Sequence, residues 1–399
     1  MTTAKRLTVY LAALAISIVA WILNASQLYW MAGALFLLPQ VTGLFARLEH
    51  YGLDVEREAP HTGHQGEAVE VRLRVRNRLL IPKLQLSVSD ELPSGLSALE
   101  GEPVPVHLPP HGEDTAAYTL QLRRRGVYAL SGVRVHNTDL LGLSGRYSTV
   151  PYRSQIVVYP RVAPLPGRAL PPERGGGHAP LEISRRKGEG SSFFGIREYR
   201  PGDPLRHVHW RTAARLSRLA VVEWETEEAT DVLLAIETRP DGERDLGPGT
   251  TLDLAAGLAA SLAAEVLGEG NSLRLVAPGA TEWRSMAERG TESLPRILEI
   301  LARLKGAPEP SLAGEIRRVA PHLAPGTLIC WLTAVPDEQL LEAARALRVA
   351  NLRPVVYALI DTATGQPGAW DGAAAELESL QIPVIRLYRD DELVTQLLA

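Results

Sequence analysis

The sequence predicts a multidomain chain: an N-terminal transmembrane α-hairpin, an antiparallel β-sandwich-like domain and a C-terminal doubly wound, Rossmann-like α/β domain. Three observations carry this. Two uncharged apolar runs stand at the head of the chain. An apolar period of two governs the stretch that follows, to about Pro160. From Asp231 onward, short apolar runs alternate with longer amphipathic ones. The expected boundaries are 1–50 for the hairpin, 51–163 for the sandwich, 164–187 for a linker and 188–399 for the α/β region.

The hairpin comes from the runs Leu7 to Leu23 and Leu28 to Ala46, separated only by Asn24 to Gln27. Each is about as long as a helix needs to cross a ~30 Å hydrocarbon core. Helices satisfy their own backbone hydrogen bonds there. Trp21, Tyr29 and Trp30 lie near the tip, where an aromatic belt would sit. Lys5, Arg6 and Arg47 flank the runs and the tip is uncharged, so the positive-inside rule puts both ends in the cytoplasm. A cleaved signal peptide is the alternative, and the second apolar run argues against it. The expected location is the inner membrane, multi-pass, with cytoplasmic soluble domains.

In the middle region Val69, Val71, Leu73 and Val75 alternate with Glu70, Arg72, Arg74 and Arg76. This is a strand with one buried and one wet face. Leu84, Leu86 and Val88 repeat the pattern, as do Tyr118, Leu120 and Leu122. Ser131-Gly132, between Val127–Leu130 and Val133–Val135, reads as a hairpin turn. Residues 164 to 180 are rich in Pro and Gly without a hydrophobic period, and no Gly-Lys-Ser/Thr follows Gly175-Gly176-Gly177 to make a phosphate loop. They read as a linker.

The α/β region has apolar strand candidates at Val232–Ile236, Leu273–Val276, Leu328–Leu332, Val355–Ile360 and Val384–Leu387. Helical patterns at Leu252–Leu267, Ser293–Leu304 and Asp337–Leu347 lie between them, and continuous apolar strands among helices imply a parallel sheet covered on both faces. Ligands of such sheets bind beyond the carboxyl ends of the strands. The loop there, from Glu237 to Asp241, lacks the glycine pattern of a dinucleotide site. Glu237, Thr238 and Asp241 offer oxygen to a hard cation, yet Arg239 puts positive charge among them. No cofactor is expected.

Composition sets the outer limits. With 399 residues, two or three domains are expected at ~100–200 residues each. At 45% hydrophobic and 22% charged, the chain is of globular type. A net charge of −4 gives no basic excess for nucleic acid. The single cysteine, Cys330, precludes an internal disulfide, and within LICWL it reads as a small buried hydrophobe.

Residues 193 to 215, FFGIREYRPGDPLRHVHWRTAAR, concentrate chemistry: five arginines, two histidines, Glu198 and Asp203 around a Pro-Gly-Asp-Pro turn. The acidic run Glu223, Glu225, Glu227, Glu228 and Asp231 follows at once. Three roles are compatible with this. Arg197, Glu198, Asp203, Arg206 and Arg215 would form a charge-paired scaffold, with Trp210 packed beneath the turn. Exposed Arg, Tyr and Trp would serve a docking surface. Glu198 or Asp203 with His209 would supply acid–base chemistry, though no Ser, Cys or metal cluster completes a recognisable catalytic set.

The string G-x-G-x-x-F-x-G-I-R-E-Y-x-P-G-D-x-x-R-x-x-x-W-x-x-x-A-R, from Gly188 to Arg215, resembles the signature of the bacterial domain of unknown function 58 family. Arg197, Glu198, Tyr199, Gly202, Asp203, Arg206, Trp210 and Arg215 carry the likeness. The upstream string RRRGVYALSGVRVHNTDLLGL is similar to the end of that family's β-region. The resemblance implies two membrane spans, a β-rich region and a von Willebrand factor A-like domain. It implies no established enzymatic activity, and it implies association with MoxR-type AAA+ ATPases. His209 stands where the family has an acid, and Ala213 where it has Ser. Glu237, Arg239 and Asp241 stand at the three positions of the Asp-x-Ser-x-Ser metal loop, and Thr333 where a later metal-binding Asp is expected. A non-enzymatic, membrane-tethered interaction protein is the leading expectation. A membrane-surface enzyme and a metal-dependent adhesion domain are the alternatives.

Overall fold

The computed structural model describes residues 2–48, 51–100, 103–138, 145–166, 184–188, 192–200, 208–216, 218–228, 230–247, 249–278, 287–361 and 367–398. The chain divides into two compact units, Met1–Tyr159 and Pro160–Ala399.

The first unit opens with α1 (Thr2–Leu23) and α2 (Ser26–Leu48), joined by Asn24 in a left-handed conformation at φ 43°. They pack along spacings of three and four. Val9, Ala13, Ile16 and Ala20 of α1 and Leu28, Ala32, Leu35 and Pro39 of α2 are the less exposed positions. Small Ala13, Ala20 and Ala32 allow close approach of the backbones. Tyr10 donates its hydroxyl to Gln40 Oε1 at 3.3 Å across the pair. The outer faces are apolar and exposed, with Leu7, Leu11, Leu14, Ile18, Trp21 and Trp30 among them. An apolar surface this large needs something other than water against it. Of these two helices, α1 is long and apolar enough to cross a bilayer by its Ala4–Leu23 window, while the described part of α2 falls short of the same measure. The expectation of two helices is met; that of two spans reduces to one helix suited to act as anchor or signal.

Two β-sheets follow. They comprise β1 (Leu53–Glu58), β2 (Thr62–His64), β3 (Ala68–Asn77), β4 (Lys83–Asp90), β5 (Leu96–Glu100), β6 (Val104–Leu108), β7 (Glu113–Leu122), β8 (Gly126–Thr138) and β9 (Gly145–Tyr159). One sheet has the order β1-β3-β7-β5, the other β2-β9-β8-β4-β6. Pairing is antiparallel except for β2 with β9. Val71, Leu73 and Val75 of β3 meet Tyr118, Leu120 and Leu122 of β7 and Leu86 and Val88 of β4 in one core, as the alternation requires. Ser131-Gly132 is not a hairpin turn. β8 runs straight through it, and the register against β9 shifts between Leu130 and Gly132, a bulge. A Cβ at Gly132 would stand 2.6 Å from Thr149 Cγ2, so any other residue there would force Thr149 to shift.

The same core holds a buried ion pair. Alternation along β1 turns Leu53, Val55 and Arg57 inward, and along β4 it turns Leu86, Val88 and Asp90 inward. The Arg57 and Asp90 side chains are 0% exposed. Arg57 Nε donates to Asp90 Oδ2 at 3.0 Å, and its other nitrogens reach Ser154 Oγ at 2.7 Å and the Gly132 carbonyl at 3.2 Å. The Tyr118 hydroxyl also donates to Asp90. The pair therefore ties the two sheets through strands β1, β4, β7, β8 and β9.

The second unit begins with a three-stranded antiparallel sheet of β10 (Ser184–Gly188), β11 (Ser192–Glu198) and, between them, β12 (Ala220–Glu228). β10 overlaps the end of the stretch expected to be linker. It lacks a hydrophobic period, but its register sets Arg185 opposite Glu227 and Lys187 opposite Glu225. Gly175 to Gly177 lie outside the described residues. The short helix α3 (Trp210–Leu216) precedes β12.

A six-stranded sheet follows, in the order β15-β14-β13-β16-β17-β18. Its strands are β13 (Asp231–Ile236), β14 (Ser272–Val276), β15 (Glu288–Arg289), β16 (Leu328–Thr333), β17 (Arg353–Ile360) and β18 (Val384–Tyr388). All pairs are parallel except that of β14 with β15, an antiparallel edge that the sequence reading omitted. The helices are α4 (Thr251–Gly268), α5 (Leu294–Arg303), α6 (Leu312–Val319), α7 (Glu338–Val349), α8 (Pro367–Ser379) and α9 (Glu392–Leu398). α6, α7 and α8 bury one face of the sheet around Trp331 and Trp370. α4 packs on β13, β14, β16 and β17, with α5 and α9 against it. α4 also has the length and apolarity of a span, but it is a core helix, 78% buried in the window concerned. Cys330 is fully buried in β16, beside Tyr357. Burial pushes its thiol up to about 12, against a weaker opposing hydrogen bond from Tyr357.

Candidate functional site

Two places attract attention, both in the second unit. The first is the segment around α3. β12 is bordered by β11 along one edge, with Arg197 opposite Val221 and Glu198 opposite Ala220. The Tyr199 N–H extends that ladder to the Leu219 carbonyl at 2.9 Å. The returning chain then pairs Val208 with Val221, and the His209 N–H donates to the Ala220 carbonyl at 2.9 Å. α3 starts at Trp210 because His209 caps it. Its Nδ1 accepts from the Thr212 N–H at 3.2 Å and lies 2.8 Å from the Thr212 hydroxyl. That is the geometry of an N-cap side chain, usually supplied by Ser, Thr, Asp or Asn. Val208, Ala213, Ala220 and Val221 form the buried side of this small element.

The other side faces solvent. Trp210 is 64% exposed, with Arg211 and Arg215 exposed on the same helix and Arg218 just beyond it. Leu219 and Ile196 are exposed nearby in the sequence and the sheet. The helix begins with its indole largely exposed and buries Ala213; the turn beneath which Trp210 was expected to pack lies outside the described residues. Glu198 is exposed and lies 3.5 Å from Arg218 Nη1. Gly202, Asp203 and Arg206 lie outside the described residues, and so do the side chains of Arg197 and the acidic run from Glu223 to Glu228. Among the described residues, nothing brings Glu198 and His209 into one catalytic set.

The second place is the carboxyl edge of the six-stranded sheet. From β13 the chain crosses to β14 on one side, then returns to β16 on the other, so the direction of winding reverses between β13 and β16. A switch point of this kind is where doubly wound sheets bind ligands. A recess of about 10 Å³, room for one water molecule, lies there between Glu237, Thr238, Arg239, Thr251, Thr333 and Ala334. Glu237 Oε1 accepts from the N–H groups of Thr238 and Arg239 at 3.1 and 3.2 Å, which closes the loop after β13. Arg239 Nη2 donates to Asp337 Oδ2 at 2.7 Å, and its Nε lies 3.3 Å from Glu237 Oε1. The other oxygen of Asp337 accepts from the Leu340 N–H at 2.9 Å, capping α7. One guanidinium thus joins the loop after β13 to the cap of α7. Its side chain is 16% exposed and that of Glu237 6%. Burial alone would lower the Arg239 pKa, but its hydrogen bond to Asp337 and the charges of Glu237 and Asp337 outweigh this and leave it raised.

These residues do not fit a divalent ion as they stand. Of the three candidate ligands, Glu237 and Thr238 line the recess, while Asp241 sits exposed in the 3-10 turn Pro240–Gly242 and does not line it. The positive charge between the carboxylates is the guanidinium of Arg239. Asp337, which the sequence reading did not single out, is the second carboxylate. The signal for it was weak: an N-cap Asp before an amphipathic run, far along the chain from Arg239.

Fold and site together define a β-rich unit with an apolar helical hairpin, followed by a mostly parallel α/β unit with an exposed Trp-Arg helix and a charge-filled switch point. Residues 195–328 match the family model described as Protein of unknown function DUF58. That span runs from β11 to the start of β16 and includes α3 and the Arg239 loop. The chain is 25% identical over 181 residues to the "Uncharacterized protein YeaD" of Bacillus subtilis (strain 168), a match covering 44% of this chain and 44% of that protein. The chain therefore spans under half of that relative's length. Crystal structures of a GH20 exo-β-N-acetylglucosaminidase from Vibrio harveyi, one with N-acetylglucosamine and one of an inactive mutant, are similar at 11% identity. They cover 82% of this chain and 60% of theirs at TM-scores of 0.17 and 0.16, too low to carry any argument.

Proposed function

We propose that this chain is a membrane-tethered, non-enzymatic docking protein whose α3 surface receives a MoxR-type AAA+ ATPase in the cytoplasm. The observation that carries the reading is Trp210, 64% exposed at the head of a short helix whose Arg211 and Arg215 are also exposed. Trp and Arg are the residues that dominate binding energy at interfaces. The charge of Arg211, Arg215 and Arg218 asks for an acidic surface on the partner.

The rest of the reading is built around that observation. The apolar hairpin holds the protein to the inner membrane, with both of its ends and the soluble units on the cytoplasmic side. The second unit is of von Willebrand factor A-like type, used for binding and not for chemistry. His209 spends its Nδ1 on capping α3, which leaves it poorly suited to general acid–base work. ATP hydrolysis belongs to the partner, since no phosphate-loop glycine pattern stands in this sequence.

The test is binding of the full-length protein, in lipid nanodiscs, to a MoxR-type ATPase of the same organism. Wild type binds, and Trp210→Ala together with Arg211→Glu weakens binding at least tenfold with the circular dichroism unchanged. Purified protein alone hydrolyses no ATP. Equal binding by both chains, or ATP turnover by the isolated protein, would sink the reading.

A further inference from the structure

The switch point between β13 and β16 is built like a cation site. Glu237 and Asp337 contact two nitrogens of one guanidinium, Nε at 3.3 Å and Nη2 at 2.7 Å. The Thr238 hydroxyl, 2% exposed, has no hydrogen-bond partner and belongs to a residue lining the same recess. An orphaned buried hydroxyl lining one recess with a carboxylate, with a second carboxylate on the same guanidinium, is the kind of oxygen set that a hard cation takes. Arg239 fills the place imperfectly. Its Nη2 is well bonded to Asp337, but its Nε, at ion-pair distance from Glu237, makes no angled hydrogen bond. The contact with Glu237 is one of charge more than of direction.

We infer that the Arg239 guanidinium takes the part of a divalent cation in this corner, as a tethered counter-ion, and that removing the side chain lets a metal ion bind to Glu237, Asp337 and the Thr238 hydroxyl. Two buried or half-buried carboxylates without a counter-charge are strongly unfavourable. Any cation able to enter the space left by the side chain relieves them. Ion and guanidinium are therefore mutually exclusive, and the native chain keeps this corner assembled without a metal. The inference concerns the sheet edge alone and does not rest on the docking surface at Trp210.

The experiment compares full-length wild type, Arg239→Ala, Arg239→Lys and Arg239→Ala/Glu237→Gln in detergent. Thermal unfolding is followed in EDTA and in millimolar Mn²⁺, and bound Mn²⁺ is counted by electron paramagnetic resonance. Wild type and Arg239→Lys unfold at the same temperature in both media and bind no Mn²⁺ at this site. Arg239→Ala unfolds at a lower temperature in EDTA and recovers at least half of the loss in Mn²⁺, with a dissociation constant on the order of 0.1–1 mM, as for weak oxygen-ligand sites. The double variant loses the Mn²⁺ response. If Arg239→Ala does not fold in EDTA, refolding in Mn²⁺ supports the inference, and failure to refold while Arg239→Lys folds normally overturns it. Mn²⁺ binding by wild type that the double variant loses also overturns it, as does an Arg239→Ala chain that is indifferent to the ion.

Discussion

At the scale of single residues, buried charge decides most. Arg57 and Asp90 are wholly enclosed, with Tyr118, Ser154 and the Gly132 carbonyl completing their hydrogen bonds. Removing one partner leaves an uncompensated ion in the core, so Asp90→Ala should cost about 3–5 kcal/mol, read as a fall in the urea midpoint. Replacing both by apolar residues of similar volume should cost less, since the desolvation penalty goes with the charges. Cys330 gives a second residue-level expectation. Its thiol is pushed up to about 12 by burial, above the ~8.5 of an open chain. The folded form therefore holds its proton longer, and the thiol's contribution to stability is complete below the open-chain value. It is lost as pH rises from there toward 12. A thiol reagent should find no reactive group in the native protein at pH 8 and one group after unfolding. The inward places of Arg57 and Asp90 were legible in the sequence, since each continues an apolar alternation by two. They pass unnoticed when charge is taken to mean exposure. The partnership of Arg239 with Asp337 was not legible, because only the sheet order brings two such distant positions together.

At the scale of elements, hydrophobic period was a good guide where one face is buried and a poor one elsewhere. The five parallel strands of the six-stranded sheet fall within a residue or two of the apolar runs, because both of their faces are covered. β10 was missed because Ser-Arg-Arg-Lys-Gly has no apolar residue, and only its backbone pairing with β12 makes it a strand. Gly132 was read as a turn because Ser-Gly serves turns and bulges alike. α3 was not foreseen either, since a helix this short depends on its cap and on the sheet it lies against. His209→Ala should loosen α3 by ~1 kcal/mol while His209→Asn retains the cap, as seen by amide hydrogen exchange at Thr212 and Ala213. In the same way Thr250→Ala removes the capping box of α4, where Thr250 and Asp253 satisfy each other's backbone. A loss of ~1 kcal/mol in overall stability is expected there. Trp210→Ala, by contrast, should change stability by less than about 0.5 kcal/mol, as for an exposed position.

At the scale of the whole molecule, the chain joins an apolar hairpin to two folded units, and the functional reading depends on both ends of that arrangement. Cutting before Leu53 should move the protein from the membrane fraction to the soluble fraction, as measured by flotation on a density gradient. The central claim is that the exposed face of α3 is a docking surface. It is tested most directly by titrating the MoxR-type ATPase against the nanodisc-held protein and its Trp210→Ala variant. Loss of a Trp anchor should cost at least about 2 kcal/mol of binding, near a thirtyfold rise in Kd, with the melting temperature unchanged. An ATPase that does not bind the wild type, or that binds the variant equally well, would contradict the account.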